Sequence, residues 1–381
     1  MNAACYDIAV VGAGPAGAMA ARLCVAAGRR VVLIERETLP RYKTCGGGVV
    51  PRAAELMGID ITPAIERTCR RIELYVPGLP PQTAQHGDDP LIHMTMRDTL
   101  DALLTQAAAS AGAELRTACR VTGVTEHDDY ITLSTGQGDI DARYVLAADG
   151  ARSNIAKLAG WPETRQFAPA VEWEVHASEA DMQRFSAAVR FDFDFIRSGY
   201  AWVFPKRHHL SIGLGRLRHT TADENLNAAA ARYLQALGID ADTPMQRHGY
   251  VVPITPRTDA IARRRILLLG DAAGLADPVA AEGITHAILS AQHAAEAVTA
   301  HRDPASAYTQ LIGQQLMPEL RAAKILSRLL YEHRLLRTMV LRLQRRRAVE
   351  AMVDVFTGRR TFSDVLAHRS RFLRYLLSRA A

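Results

Sequence analysis

The chain has 381 residues, more than one ordinary domain needs, and its 48% apolar and 6% aromatic content suits a globular enzyme with ample core. It opens almost at once on an apolar strand with no basic leader, and no apolar run reaches about 18 residues, so neither a secretory signal nor a membrane span is expected. Five cysteines (Cys5, Cys24, Cys45, Cys69, Cys119), without C-x-x-C or paired-His spacing, support neither a disulfide framework nor a metal site. The formal net charge of +6 is unevenly placed: residues 321–381 hold 15 Lys and Arg against 4 Asp and Glu, and the rest holds 31 against 36.

In chain order, the first signal is YDIAVVGAGPAGAMAARLCVAAGRRVVLIER, residues 6–36. A strand, Ile8 to Val11, runs into Gly12, Gly14 and Gly17 at G-x-G-x-x-G spacing, followed by a helix of small residues that includes Ala16 and by a second strand ending on Glu35, with Arg36 next to it. Strand before, helix after and an acidic residue about 20 positions on is the confirming context for dinucleotide binding. Gly12 permits the tight turn, Gly14 lets main chain approach a pyrophosphate and Gly17 lets the helix lie close to the sheet, while Glu35 meets ribose hydroxyls. The loop from Glu37 to Pro51 is too glycine-rich for a helix or central strand. A helix is predicted from Arg97 to Ala111, then an antiparallel ribbon around Val121 with turns at Asp128-Asp129 and Gly136-Gln137-Gly138, returning to a strand that ends at Asp149-Gly150.

From Trp161 the character changes. Residues 189–195 (VRFDFDF) alternate strictly, which predicts a strand with Phe191, Phe193 and Phe195 on one face and a wet face of Arg190, Asp192 and Asp194. Strands at Tyr200 to Phe204 and Leu210 to Arg216, then a helix from Asn225 to Leu237, are predicted next. The chain re-enters the first domain through a buried strand, Ile266 to Leu269, ending at Gly270-Asp271, and a long helix starts near Gly283. The basic tail, KILSRLLYEHRLLRTMVLRLQRRRAVEAMVDVF, repeats apolar residues at helical spacing. Such helices pack on the body with a solvated arginine face, lie on an anionic membrane surface, or hold an acidic ligand. No nucleic acid is expected as a partner, because no recognised motif or aromatic-interleaved basic strand accompanies the charge.

Two later segments turn the dinucleotide into FAD by resemblance. ILLLGDAAGLADPVAAEGITHAI resembles the second flavin fingerprint of glutathione-reductase-type flavoproteins, which implies that Asp271 binds ribityl hydroxyl and that the helix start at Gly283-Ile284 faces the cofactor. AADGARSNIAKLAG resembles the D-G motif of the hydroxylase branch, with Asp149, Gly150 and Ser153 in place. Arg97, opening RDTLDALL, is implied near the FAD pyrophosphate, where a guanidinium pairs well with a doubly anionic linker. The expected fold class is α/β: a Rossmann-type FAD-binding domain in three parts (1–75, 97–160, 256–300), an antiparallel-sheet substrate domain entered briefly at 76–96 and fully at 161–255, and a C-terminal helical region at 301–381.

Two further boxes narrow the resemblance. Pro40-Arg41-Tyr42-Lys43-Thr44-Cys45-Gly46-Gly47-Gly48 resembles the P-x-Y-x-x-C-G-G-G box of the geranylgeranyl reductase family, and Tyr200-Ala201-Trp202-Val203-Phe204-Pro205 with Gly213-Leu214-Gly215 resembles its Y-x-W-x-F-P…G-x-G box. One departure is Ala281-Glu282-Gly283, where the family more often has G-E-G. Three glycines after Cys45 let main chain pass flat against a flavin ring, and Tyr200, Trp202 and Phe204 share one strand face, with Pro205 next to them, as a wall for a hydrocarbon.

The resemblance implies an FAD-dependent reductase that saturates double bonds in a geranylgeranyl or polyprenyl chain, with Cys45, Tyr200 and Trp202 at the reacting centre. The proton donor stays open between Tyr200, a flavin-held water and the Cys45 region, and the electron donor between NADPH and a reduced ferredoxin-like carrier. Peripheral membrane contact through the basic C-terminal helices, a cytoplasmic location with access to the inner face of the cell membrane, and an unknown oligomeric state complete the expectation. The rivals are a class A-type flavin monooxygenase or halogenase, although the W-x-W-x-I-P signature of halogenases is absent, and then a non-enzymatic flavin-binding protein.

Overall fold

A computed structural model describes residues 5–217, 224–333, 337–339, 342 and 345–367. Strands dominated by apolar residues become the inside of a sheet covered on both faces. Accordingly Tyr6–Val11 pairs in parallel with Val31–Ile34 on one side and Ile140–Ala147 on the other, and Ile140–Ala147 pairs in parallel with Ile266–Leu268. The ribbon Val121–Glu126 and Ile131–Thr135 adds antiparallel to Ile140–Ala147, as its alternation predicts. The helices Pro15–Ala26, Arg97–Ser110 and Ile284–Ala300 pack with this sheet into one apolar core.

The second sheet has seven strands, in the order Met245–Pro253, Phe167–Val175, Leu210–Arg216, Gly199–Pro205, Val189–Phe193, Arg71–Tyr75 and Gln82–Gln85. It is antiparallel except where Val189–Phe193 runs parallel to Arg71–Tyr75. Gly48–Val49, Ile92–Thr95 and Ile65–Cys69 form a small third sheet, so part of the glycine-rich loop is a short strand. The helix Leu226–Ala236 is capped by Asn225, whose side chain accepts the Asn227 and Ala228 amides, and it covers the outer face of the second sheet.

That helix overturns the wet face expected for residues 189–195. Asp192 is buried, ion-paired with Arg190 at 2.7 Å, and accepts the Tyr233 hydroxyl at 2.5 Å. The strand also ends at Phe193: Asp194 takes φ +62, the chain turns, and Phe195 packs against Tyr233 on the side opposite Phe191 and Phe193. Alternation sets faces only while the chain stays extended.

The tail forms helices Pro304–Gln315, Met317–Tyr331 and Arg345–Phe356. Met317–Tyr331 buries Leu320, Ala323, Leu326 and Tyr331 and exposes Arg321, Lys324 and Arg328, the amphipathic pattern read in the sequence. Residues 334–336, 340–341, 343–344 and 368–381 of the predicted basic region lie outside the described residues. No helix among the described residues is long and apolar enough to cross a membrane.

Candidate active site

A cleft of about 580 Å³ lies between the two main sheets and collects most of the residues that the sequence singles out. Gly12, Gly14, Ala16, Glu35, Arg36, Cys45, Gly46, Gly47, Gly48, Arg97, Val121, Asp149, Asp271, Gly283 and Ile284 line it, as do Tyr200, Trp202 and Phe204. Gly17 and Pro205 do not line it. A Cβ at Gly17 would stand 1.8 Å from the Gly12 carbonyl oxygen, so Gly17 serves the closeness of helix and strand.

The glycine turn is locked by its surroundings. Gly12 adopts φ +101, and a Cβ there would fall 2.4 Å from the Ala148 oxygen, which only glycine avoids. Gly14 caps the helix Pro15–Ala26 with no side-chain hydrogen bond, leaving first-turn amides toward the cleft. Glu35 is already engaged: its carboxylate accepts the Ala13 amide at 3.0 Å and the Glu37 amide at 3.1 Å, with Arg41 at 3.3 Å. Buried Asp101 holds Arg97 through Nε at 2.8 Å and Nη2 at 2.9 Å, and Arg41 at 3.0 Å. Burial works against the charge on Arg97, but Asp101 outweighs it and holds its pKa above the usual arginine value.

Around the second fingerprint, Asp271 has no hydrogen bond to its carboxylate among the described residues, and burial pushes its pKa up. Its main-chain oxygen accepts from Arg165 Nη1 at 2.5 Å, so a buried arginine fixes the turn. Asp149 behaves differently. Both its oxygens are taken locally, by the Ser153 hydroxyl at 2.6 Å and the Ile155 amide at 2.9 Å, so it shapes the start of the helix Asn154–Leu158.

The Cys45–Gly48 loop is pinned between sheets. The Cys45 amide donates to Glu172 at 2.7 Å, and the Gly46 carbonyl accepts from buried Lys206 at 2.7 Å. Gly46 lies on the Phe204 ring, where a Cβ would approach to 2.8 Å, and Gly47 has φ +70 with Thr95 behind it. Trp202 centres 6.0 Å from both Tyr200 and Phe204, and Phe191 adds an edge contact to Phe204 at 5.3 Å. The Tyr200 hydroxyl donates to the Ala280 carbonyl at 2.6 Å.

Several cleft residues had no role assigned from sequence: Arg41, Tyr42, Lys43, Glu172, Phe191 and Tyr250. Arg41 to Lys43 lie inside the cysteine-glycine box, and two glutamates in the apolar segment VEWEV were a signal for Glu172. Nothing local marks Tyr250, which arrives from the edge strand Met245–Pro253 and lies under the Lys43 ammonium at 3.4 Å. Burial, and then Arg97 beside it, lower Lys43 to about 8.

A nucleotide-binding sheet with a glycine turn, joined to a second sheet across a shared cleft, defines a flavoprotein oxidoreductase. The profile of the FAD binding domain matches residues 5–303. Geranylgeranyl diphosphate reductase of Synechocystis is 30% identical over 310 residues, covering 77% of this chain and 75% of that protein. Menaquinone reductase of Mycolicibacterium smegmatis is 28% identical over 351 residues, covering 85% and 84%. In fold, the geranylgeranyl bacteriochlorophyll reductase-like protein of Thermoplasma acidophilum superposes with a TM-score of 0.77 at 22% identity, covering 86% and 87%. The chain belongs to the geranylgeranyl reductase family of FAD-dependent oxidoreductases.

The residues present fit FAD. The glycine turn admits no side chain, the first helix leaves its opening amides uncapped, and Asp271 offers polyol hydroxyls a carboxylate with no hydrogen-bond partner among the described residues.

Proposed function

We propose that this protein is an FAD-dependent reductase that saturates double bonds of a geranylgeranyl or polyprenyl chain, carried by a lipid, a quinone, a chlorophyll-type ester or a diphosphate. One observation carries the reading: the aromatic side chains Phe191, Tyr200, Trp202 and Phe204 line the same cleft as the nucleotide turn, with the Gly46 main chain packed on Phe204. This face continues as an apolar cluster through Phe193 to Tyr331, Val349 and Val353 of the C-terminal helices. The aromatic part of that face that lines the cleft offers a hydrocarbon an apolar surface beside the cofactor.

Reduced FAD bound here would supply the hydride that an unactivated alkene needs. The chain's own residues orient and exclude water. Gly46 packs bare main chain on Phe204 and Gly47 on the Thr95 carbonyl, Trp202 and Phe204 form the floor for the prenyl unit, and Tyr200, tied to Ala280, stiffens the wall. Cys45 stands at the edge of that floor, its amide held by Glu172. NADPH or a reduced ferredoxin-like carrier would supply electrons. The exposed Arg321, Lys324 and Arg328 would meet an anionic headgroup or membrane surface.

The test is anaerobic reduction of the holoenzyme followed by addition of geranylgeranyl substrates. A gain of two hydrogens per double bond by mass is the expected result; no gain on any prenyl chain sinks the reading. Rapid oxygen consumption coupled to substrate hydroxylation would instead identify a monooxygenase.

A further inference from the structure

Two buried glutamates, Glu172 and Glu174, stand two residues apart on the strand Phe167–Val175, behind the cysteine-glycine loop. Glu172 reaches the cleft. Its Oε2 accepts the Cys45 amide at 2.7 Å and its Oε1 accepts the Ser211 hydroxyl at 2.5 Å, while Ser211 accepts from Trp202 Nε1 at 3.4 Å. Glu174 points to the other end. Its Oε2 lies 2.8 Å from His209 Nε2, and its Oε1 accepts the Tyr42 hydroxyl at 3.2 Å. The His209 side chain is 13% exposed and its ring lies 5.8 Å from that of exposed His176. Titratable groups thus run from the surface to the cleft.

The two carboxyls differ in what they hold. Burial, and then the negative charge of Glu174, push the pKa of Glu172 up. Burial also opposes the charge on Glu174, but His209 against it, with Lys206 nearby, outweighs it and holds its pKa down. Lys206 faces both carboxyls and Glu66, and is fixed on the Gly46 and Thr95 carbonyls; Tyr42 and Cys45 are the remaining ionisable neighbours. Of the two, Glu172 is the carboxyl whose surroundings favour the protonated form.

We propose that Glu172 stores the proton consumed in the cleft during double-bond reduction, and that Glu174 and His209 reload it from solvent. This rests on the reductase reading. The balance closes: one C–H bond takes the electron pair and hydrogen of the hydride from reduced flavin. The second takes the proton freed when the Glu172 O–H breaks. The carboxylate then recovers a proton from water or buffer through His209 and Glu174.

The test compares holoenzyme variants in two readouts. The infrared spectrum of wild-type holoenzyme minus that of Glu172→Gln, both at neutral pH, should contain a carboxylic-acid C=O band; its absence overturns the proposal. In anaerobic single turnovers Glu172→Gln should slow prenyl saturation about 100-fold. His209→Asn should slow multiple turnover about tenfold, with imidazole in the buffer restoring it, as a merely structural histidine would not allow. If Glu172→Gln fails to hold FAD, the His209→Asn comparison decides alone, and unslowed turnover or no rescue overturns the proposal. If wild type saturates no prenyl chain, the reductase reading falls, while the infrared band still judges Glu172 as a proton holder.

Discussion

Lys206 and Gly46 meet across the cleft wall: the buried ammonium donates to the Gly46 carbonyl at 2.7 Å and to the Thr95 carbonyl at 2.8 Å. One side chain from the end of the aromatic strand thereby fixes the cysteine-glycine loop. Lys206→Met removes both bonds and strands two acceptors. Each buried acceptor left unpaired costs about 1–3 kcal/mol, so urea unfolding should show a loss of that order. A midpoint unchanged from wild type would mean that the loop holds itself.

Arg97 is expected to anchor the cofactor's phosphates from its seat on Asp101. Its Nη2 lies 3.7 Å from where a Gly14 Cβ would stand, beside the glycine turn. Arg97→Ala removes charge-assisted bonds worth about 1.5–3 kcal/mol each. FAD affinity should therefore fall about 10- to 100-fold by fluorescence titration. Arg97→Lys should recover only part of that, because an ammonium cannot keep both Asp101 bonds.

Lys43 gives a pH dependence with a definite sign. Its folded pKa of about 8 lies below the ordinary 10.5, first because burial disfavours the cation and then because Arg97 faces it, against Cys45, Asp271 and Asp101. Between those values the unfolded chain binds more protons, so stability of the FAD-free protein should rise with pH across that window. FAD affinity should move the other way, since the cation that attracts an anionic cofactor is lost above about 8. Calorimetry and titration from pH 7 to 10 check both slopes, and Lys43→Met should flatten both. Parallel slopes, or slopes unchanged in the variant, would assign the dependence to another group.

The first sheet was legible because the segments Ile8 to Val11, Val31 to Ile34 and Ile266 to Leu268 are apolar runs and its glycine turn has a fixed spacing, so Gly12, Glu35 and Asp271 came to one cleft as read. The aromatic face was legible by period two at Tyr200, Trp202 and Phe204. Phe195 was not, because a single left-handed residue, Asp194, reverses the side to which the next side chain points. The buried state of Asp192 was equally hidden, since the helix that covers it begins more than 30 residues later. Tyr250 and Glu172 reach the cleft only through strand pairing between distant segments. Local spacing carries no such pairing.

Gly46 and Phe204 supply a compensating pair. A Cβ on Gly46 would sit 2.8 Å from the Phe204 ring, so Gly46→Ala must push either ring or loop away. Overpacking of this kind costs about 1–3 kcal/mol, and the displaced loop should lower both flavin occupancy and prenyl saturation. Phe204→Leu alone should leave flavin bound while weakening the hold on the hydrocarbon, raising KM more than it lowers kcat. In the double variant the smaller side chain makes room for the new methyl, so flavin occupancy should return toward that of Phe204→Leu. Absorbance of bound flavin after gel filtration measures this directly. A double variant as depleted as Gly46→Ala would show that the added methyl obstructs the cofactor's own space, and the contact with Phe204 would then not be what requires glycine there.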